Sequence, residues 1–301
     1  PLLMAGADEF AWNIPRTVCA DLFKVCEERC CDEVTPTKPE QLHLSLNSSS
    51  DLSEMRVAWV TLNATATHTV QWTLSPDQHA ETCGASGNTS WAAGGSVRTY
   101  HVGGWVGQIH SAVMHGLQRG CTYRYRVGDA DGGWSDSVDF DVMPEHIGTA
   151  ARPLRVVAIA DMGYGPNSNN TIQRIAARVE AREVDVLLHY GDISYADGDE
   201  QHWDVFFRKV ESIASRVPYM TTPGNHEMWW NFTAYKARMW MPPSGNGMND
   251  DGSAPMYYSF AIGPAAFMMM DTETWLDTAD IDPRQIAWAT QQMDAVNAVR
   301  N

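Results

Sequence analysis

A β-sandwich followed by an α/β domain is the fold class this sequence predicts, and three observations predict it. From residue 38 to 143, apolar residues recur at every second position, in short runs broken by Gly, Asn and Ser clusters. After residue 153 the pattern changes to apolar strands alternating with helical stretches, the signature of a sheet with crossover helices. Between the two, MPEHIGTAARP (143–153) carries prolines near both ends and reads as a linker. The expected organisation is a cysteine-containing segment (1–37), the sandwich (38–143), the linker (144–153) and the α/β domain (154–301).

In the first half Leu42, Leu44 and Leu46 alternate with polar neighbours, as do Val70, Trp72 and Leu74. TYRYRV (122–127) and SVDFDV (137–142) continue the alternation. The histidines here (His43, His68, His79, His101, His110, His115) are scattered, so this half reads as a packing domain without chemistry of its own.

The second half supplies the elements of a layered domain. LRVVAIAD (154–161) reads as a buried strand ending at Asp161. TIQRIAARVEARE (171–183) reads as a helix with Asn170 as its N-cap. VDVLLHY (184–190) has the length and apolarity of a strand covered on both faces. WDVFFRKVESIASRV (203–217) places Trp203, Phe206, Phe207, Val210, Ile213 and Val217 on one helical face. VPYMTTPGN (217–225), MYYSFAIG (256–263) and AAFMMMD (265–271) read as further strands, and Asp282-Pro283 opens a terminal helix. The Met- and Trp-rich MWWNFTAYKARMWM (228–241) reads as core and lid packing.

Composition excludes several classes. A net charge of −16 and a pI near 4.9 argue against a nucleic-acid footprint or an anionic membrane surface. No apolar stretch approaches the length of a spanning helix. An anionic substrate would need a local cation to override the global field. The chain begins PLLMAG and ends QQMDAVNAVRN inside a helical pattern, and is expected to be a fragment.

Six cysteines (Cys19, Cys26, Cys30, Cys31, Cys83, Cys121) match no zinc spacing, and their adjacent pair is not a redox CxxC. Asn-x-Ser/Thr sequons begin at Asn47, Asn63, Asn88, Asn169 and Asn231. Chance would give roughly two from this asparagine content. Together these favour a disulfide-containing protein of the secretory route, secreted or in a lysosome- or vacuole-like compartment. Six cysteines allow 15 pairings. Cys83 with Cys121 is one option within the sandwich.

Three strands of the second half end in ligand-type residues: ADMG (160–163), GDISY (191–195) and GNHE (224–227). Each motif alone is weak, and a lone Gly-Asp after a strand is more often an Asx turn. Three on consecutive strands converge, because α/β sheets gather their ligands at the strands' carboxyl ends. Carboxylate, phenol, amide and imidazole donors suit a pair of hard cations in a dinuclear hydrolase. Asp192, on the middle strand of the three, is the natural bridge between two ions.

At these motifs the sequence resembles the purple acid phosphatases, within the calcineurin-like metallophosphoesterases. That family carries D-x-G, G-D-x-x-Y, G-N-H-[DE], V-x-x-H and G-H-x-H in order. The first three stand here as Asp161-Met162-Gly163, Gly191-Asp192-Ile193-Ser194-Tyr195 and Gly224-Asn225-His226-Glu227. YADG, NFTAYKARMWMP, MRVAWVT and CTYRYRVG also look like the two-domain members. The resemblance implies a fibronectin-III-like sandwich followed by an αββα metallophosphoesterase domain truncated at its C-terminus. It implies hydrolysis of a small phosphate monoester by metal-bound hydroxide at an Fe(III) ion paired with a divalent zinc, manganese or iron. Asp161, Asp192 and Tyr195 would bind Fe(III), Asp192 and Asn225 the divalent ion, and His226 would contact the phosphate. Relatives outside this family use D-x-H; Gly163 cannot ligate, and Tyr195 would supply the missing ligand as a phenolate.

V-x-x-H and G-H-x-H are absent, and no histidine follows His226. The chain is therefore expected to hold part of the site and to be inactive alone. Two rival readings are a phosphodiesterase or nucleotidase of the same superfamily, and a secreted binding protein with a decayed site. Oligomeric state and the physiological ester are not legible.

Overall fold

The computed structural model describes residues 35–77, 83, 90–243, 256–273 and 282–300. Every element below lies in the unit Pro36–Asn301. The front half comprises β1 (Glu40–Leu46), β2 (Met55–Thr61), β3 (Thr69–Leu74), β4 (Ser90–Gly94), β5 (Ser96–Arg98), β6 (Gln108–Met114), β7 (Thr122–Asp129), β8 (Gly133–Trp134) and β9 (Val138–Asp141). They pair into two antiparallel sheets, β1-β2-β6-β5 and β4-β3-β7-β8, with β9 also on β7. The period-two reading holds: Leu42, Leu44, Leu46, Val57, Val70, Tyr125 and Val127 are all buried. Cys83 and Cys121 are joined in a disulfide, with Cα atoms 5.8 Å apart. Cys19, Cys26, Cys30 and Cys31 lie outside the described residues.

Alternation alone would leave the polar face of β1 wet, yet Gln41, His43 and Ser45 are as buried as the leucines between them. The cause is a second layer packed on that face. A bulge turns Gln41 to φ 62°, so its backbone N–H donates to Glu211 Oε2 at 2.7 Å instead of to β2. Two of the scattered histidines also meet. His110 is buried against Thr61 and His68, and burial pushes it down to about 3.

The second layer follows in order: β10 (Val156–Ile159), α1 (Asn169–Glu180), β11 (Val186–Tyr190), α2 (Gln201–Ala214), β12 (Tyr219–Thr222), α3 (Thr233–Arg238), β13 (Tyr258–Ile262), β14 (Ala265–Met269) and α4 (Pro283–Arg300). Strands β10, β11 and β12 form a parallel sheet in that order, with β11 in the middle. Helix α2 buries Trp203, Phe206, Phe207, Val210 and Ile213. Each such side chain contributes about 1.5–3 kcal/mol on burial.

Four expectations are corrected. Strand β10 is not buried: Val156 and Ala158, which share one face of the strand, are exposed, while Val157 and Ile159 on the other face are half-buried. Asn170 is not the N-cap. A 3-10 turn at Pro166–Ser168 starts the coil early, so Asn170 is already inside α1. Helix α2 ends at Ala214, and Val217 is buried beyond the helix. Strands β13 and β14 do not join the parallel sheet. The Gly263-Pro264 connection is too short for a crossover, so the two pair antiparallel with each other. The terminal helix begins as read, with the Asp282 carboxylate accepting the Arg284 N–H at 2.8 Å.

One buried ion pair ties the two layers together. Arg238, at the end of α3 and 1% exposed, donates to Asp204 Oδ1 on α2 at 2.8 Å. It also donates to the Tyr100 hydroxyl at 2.9 Å and to Gln41 Oε1 at 3.1 Å. Asp204 accepts in addition from Gln41 Nε2 and from the Trp105 indole N–H. The Tyr100 hydroxyl donates in turn to Glu200 Oε2 at 3.0 Å. Every charged group in the knot is partnered, which is the condition under which a buried pair is tolerated.

Arg238→Met should therefore cost about 3–5 kcal/mol by stranding Asp204. Arg208→Met, which loses the more exposed pair with Glu40, should cost no more than about 1 kcal/mol. Urea unfolding of both variants at neutral pH checks this, and equal losses would contradict the reading.

A second cluster sets the acid limb. Burial alone would raise Asp185, but hydrogen bonds from Arg152 and Arg155 outweigh it and hold the carboxyl below its ordinary range. A depressed folded value stabilises above the unfolded pKa of about 3.9 and is lost as pH falls through the folded one. Wild type should thus exceed Asp185→Asn in stability at neutral pH. That gap should close below about pH 4 in an acid series of urea melts.

Candidate metal centre

The three motifs emerge side by side because their strands are adjacent and parallel. Beyond the strand ends the backbone stays zipped. Gly163 N–H donates to Ile193 O at 3.0 Å, Tyr164 N–H to Ser194 O at 3.0 Å, and Gly191 N–H to Thr222 O at 2.9 Å. Gly191 has φ 68°, and a Cβ there would fall 2.7 Å from the Gly224 Cα. The G-D and G-N glycines are thus required by each other: only bare backbone allows the two loops to approach so closely.

Asp161, Asp192, Tyr195 and Asp197 all adopt left-handed backbone, at φ 55°, 49°, 55° and 50°. Each such residue costs about 1–2 kcal/mol, and this kind of strain concentrates at functional sites. It brings the side chains together. The Tyr195 hydroxyl donates to Asp161 Oδ1 at 2.8 Å and lies 3.4 Å from Asp192 Oδ2. Asp192 Oδ1 accepts the His226 backbone N–H at 3.2 Å. Gly163, at φ 71°, sits against this phenol: a Cβ would fall 3.2 Å from Tyr195 Cδ2. A side chain at 163 would therefore press on the Tyr195 ring. Gly163 and Tyr195 thus belong together sterically.

His226 packs its ring 4.1 Å from that of Tyr195 and bonds Asp197 through Nδ1 at 2.6 Å. Desolvation would lower His226, but Asp197 and the neighbouring carboxylates outweigh it and hold the imidazole above its ordinary value. Tyr195 is pushed up, first by burial and then by its bond to Asp161 and the charge of Asp192. A cation bound among these oxygens would drive the phenol the other way. Asn225 is exposed, in the short turn Asn225–Glu227 after β12.

The donor set fits a hard ion. Two carboxylates and a phenol share one opening at hydrogen-bond distance, the oxygen chemistry that a trivalent cation prefers. Among the described residues no three His, Cys, Asp or Glu side chains converge, and the third oxygen of this cluster is the Tyr195 phenol. A second ion at Asp192 would need further donors, since metal sites usually have three or more.

Two contributors escaped the motif reading. Glu227, 3% exposed, accepts the Ile193 N–H at 2.9 Å through Oε1 and the Gly224 N–H at 2.8 Å through Oε2. Burial pushes it up to about 7, against the pull of those two donors. It staples the loop after β11 to the loop after β12. Its signal was a carboxylate three residues past a turn glycine, the spacing of a capping box. Asp197, which orients His226, had no signal beyond its place in YADG.

The 228–241 stretch divides. Phe232, Tyr235, Met239 and Met241 are buried, and the Arg98 guanidinium lies 3.5 Å over the Trp240 ring. Met228, Trp229 and Trp230 are exposed instead. Of the sequons, Asn63 and Asn231 are exposed and Asn169 is half-buried. Asn47 bonds Glu54 and Arg56, and Asn88 lies outside the described residues.

A family model described as "Purple acid Phosphatase, N-terminal domain" matches residues 39–142, and "Calcineurin-like phosphoesterase" matches 154–284. The chain belongs to the purple acid phosphatase family. Among purple acid phosphatase relatives, acid phosphatase type 7 of Homo sapiens is 31% identical over 270 residues, covering 87% of this chain and 56% of that protein. The mouse protein is 30% identical over 273 residues, with the same coverage. A "probable inactive purple acid phosphatase 9" of Arabidopsis thaliana is 30% identical, covering 79% of this chain and 42% of its own length. The purple acid phosphatase from yellow lupin seeds shares the fold, with a TM-score of 0.64 at 23% identity over 80% of this chain and 47% of its own. The chain spans about half the length of the curated relatives it matches.

Glu227→Ala would leave two buried N–H groups of this purple acid phosphatase site without an acceptor. It should cost about 3 kcal/mol, and Glu227→Gln, which keeps one acceptor, roughly half that. Hydrogen exchange at the Gly224 and Ile193 amides should quicken in step with the loss. Unchanged protection there would show that Glu227 is not the staple.

Proposed function

We propose that this chain carries the iron-binding part of an acid phosphatase that hydrolyses phosphate monoesters at an Fe(III)–divalent metal centre. The observation that carries the reading is the meeting of Asp161, Asp192 and the Tyr195 hydroxyl at one opening. In this reading Asp161, Asp192 and Tyr195 hold ferric iron, while Asp192 and Asn225 hold zinc, manganese or iron. Ferric iron would supply a Lewis acid strong enough to activate water at acid pH. Asp197 fixes His226 through Nδ1, leaving Nε2 as the nitrogen that meets a phosphate oxygen. Glu227 keeps Asp192 and Asn225 at a constant separation by stapling their loops. With two donors for the second ion, residues 1–301 alone should be inactive or nearly so on phosphate monoesters.

The sandwich at 38–143, the linker at 144–153 and the catalytic domain from 154 remain our preferred division. The disulfide and the exposed sequons at Asn63 and Asn231 favour a secretory-route glycoprotein. A phosphodiester substrate is separated by comparing p-nitrophenyl phosphate with its bis-ester on metal-loaded protein.

Titrating Fe(III) into the protein should produce a visible phenolate-to-iron band. Tyr195→Phe should abolish that band with circular dichroism unchanged. A band that persists in the Phe variant removes Tyr195 from the iron site and with it the core of this reading.

A further inference from the structure

Two residues after His226 the chain exposes three consecutive large apolar side chains. Met228, Trp229 and Trp230 are 53, 49 and 49% exposed, whereas Trp59, Trp72, Trp105, Trp203 and Trp288 are 5% exposed or less. A contiguous apolar exposure of this kind marks a binding surface more often than a packing accident.

Its position is defined by what it touches. The Trp229 ring lies against Gly198, where a Cβ would come within 3.0 Å of Cε3. Gly198 adjoins Asp197, the residue that holds His226. The Trp230 indole nitrogen lies 3.3 Å from the Cβ position of Gly103, in the sandwich turn Val102–Gly104. Trp229 therefore lies on the residue that follows Asp197 in the loop after β11, and Trp230 lies against the sandwich turn that meets the same loop at Gly198.

The backbone holds them there at a cost. Trp230, Asn231 and Phe232 are three successive left-handed residues, at φ 54°, 58° and 60°. The turn buries Phe232 while leaving both indoles outside. Lys236 Nζ donates to Asn231 O at 3.0 Å, and the Thr233 hydroxyl donates to Trp230 O. Strain that is over-determined in this way persists where a surface is used. Electrostatics points in the same direction. In a chain of net charge −16, an anionic ester needs a source of affinity other than the long-range field.

We propose that Met228, Trp229 and Trp230 form a leaving-group subsite that selects phosphate esters of aromatic or planar apolar alcohols over esters of small polar ones. The inference rests on the phosphoester reading of the site. The phosphate would sit at the oxygen cluster and His226, and the alcohol's ring would lie on the indoles. Stacking and offset contacts of this type contribute about tenfold in affinity.

Calorimetry on protein loaded with Fe(III) tests this, with 1-naphthyl phosphate, glycerol 2-phosphate and inorganic phosphate as probes. The naphthyl ester should bind about tenfold tighter than the glycerol ester. W229A/W230A should bring that ratio close to one with inorganic phosphate affinity unchanged, and W229F/W230F should retain most of the preference. Equal affinities in wild type, no response to the naphthyl ester, or an unchanged ratio in the double alanine variant would overturn the subsite. A naphthyl preference without any binding of inorganic phosphate would leave the subsite standing and fail the phosphoester reading instead.

Discussion

The contact on which the rest depends is the buried pair between Arg238 and Asp204. It gathers Gln41 from the first strand, Tyr100 and Trp105 from the turn before β6, Asp204 from α2 and Arg238 from α3. A guanidinium at 1% exposure has no water to fall back on, so all its partners must stay in register. The sandwich is thereby fixed against the α/β layer rather than tethered to it. Through Tyr100 and Glu200 the same knot reaches the segment that carries Asp197 and Gly198. Through α3 it holds the far end of the left-handed turn that presents Trp229 and Trp230.

What the knot does for the layers, backbone pairing does for the loops. The parallel order β10-β11-β12 brings three strand ends to one edge, and the loops continue the pairing past those ends. Close approach of Gly191 to Gly224 and the Glu227 staple then leave little freedom in where Asp192 stands relative to Asn225. Four left-handed aspartate and tyrosine positions are affordable only inside such a frame. Their summed strain is a sizeable fraction of a domain's net stability.

The candidate donors were legible because strand-end motifs need only strand order to converge, and order is local information. The sandwich was legible for the same reason: alternation at Leu42, Leu44 and Leu46 is visible in five residues. Gln41 and Arg238 were not, since they stand 197 residues apart and a bulge sets the register that permits their meeting. The burial of β1 on both faces followed from that meeting, and no periodicity within β1 encodes it. Strand β10 failed in the opposite sense. Its apolar run matches a strand covered on both faces, while Val156 and Ala158 lie exposed on one of them. Glu227 stood within a quoted motif, yet its role as a staple depends on Ile193 lying opposite, which only the fold reveals.

Charge gives the arrangement its direction. Asp161 and Asp192 meet at one opening of a chain that is already strongly acidic, and Tyr195, pushed up first by burial and then by these two carboxylates, holds its proton more tightly. Left to themselves these groups would repel a phosphate ester and one another. A polypeptide has two ways to relieve that, arginines or a bound cation. Among the described residues no arginine or lysine bonds to Asp161 or Asp192; the arginines are spent on Asp185, Asp141, Asp139 and Asp204. On the proposed function the cation does both tasks, offsetting backbone strain when it binds and reversing the local field for the substrate. Binding to the folded form alone would stabilise the loops by mass action. The strain at Asp161, Asp192 and Tyr195 and the affinity for the ion are then two views of one free energy.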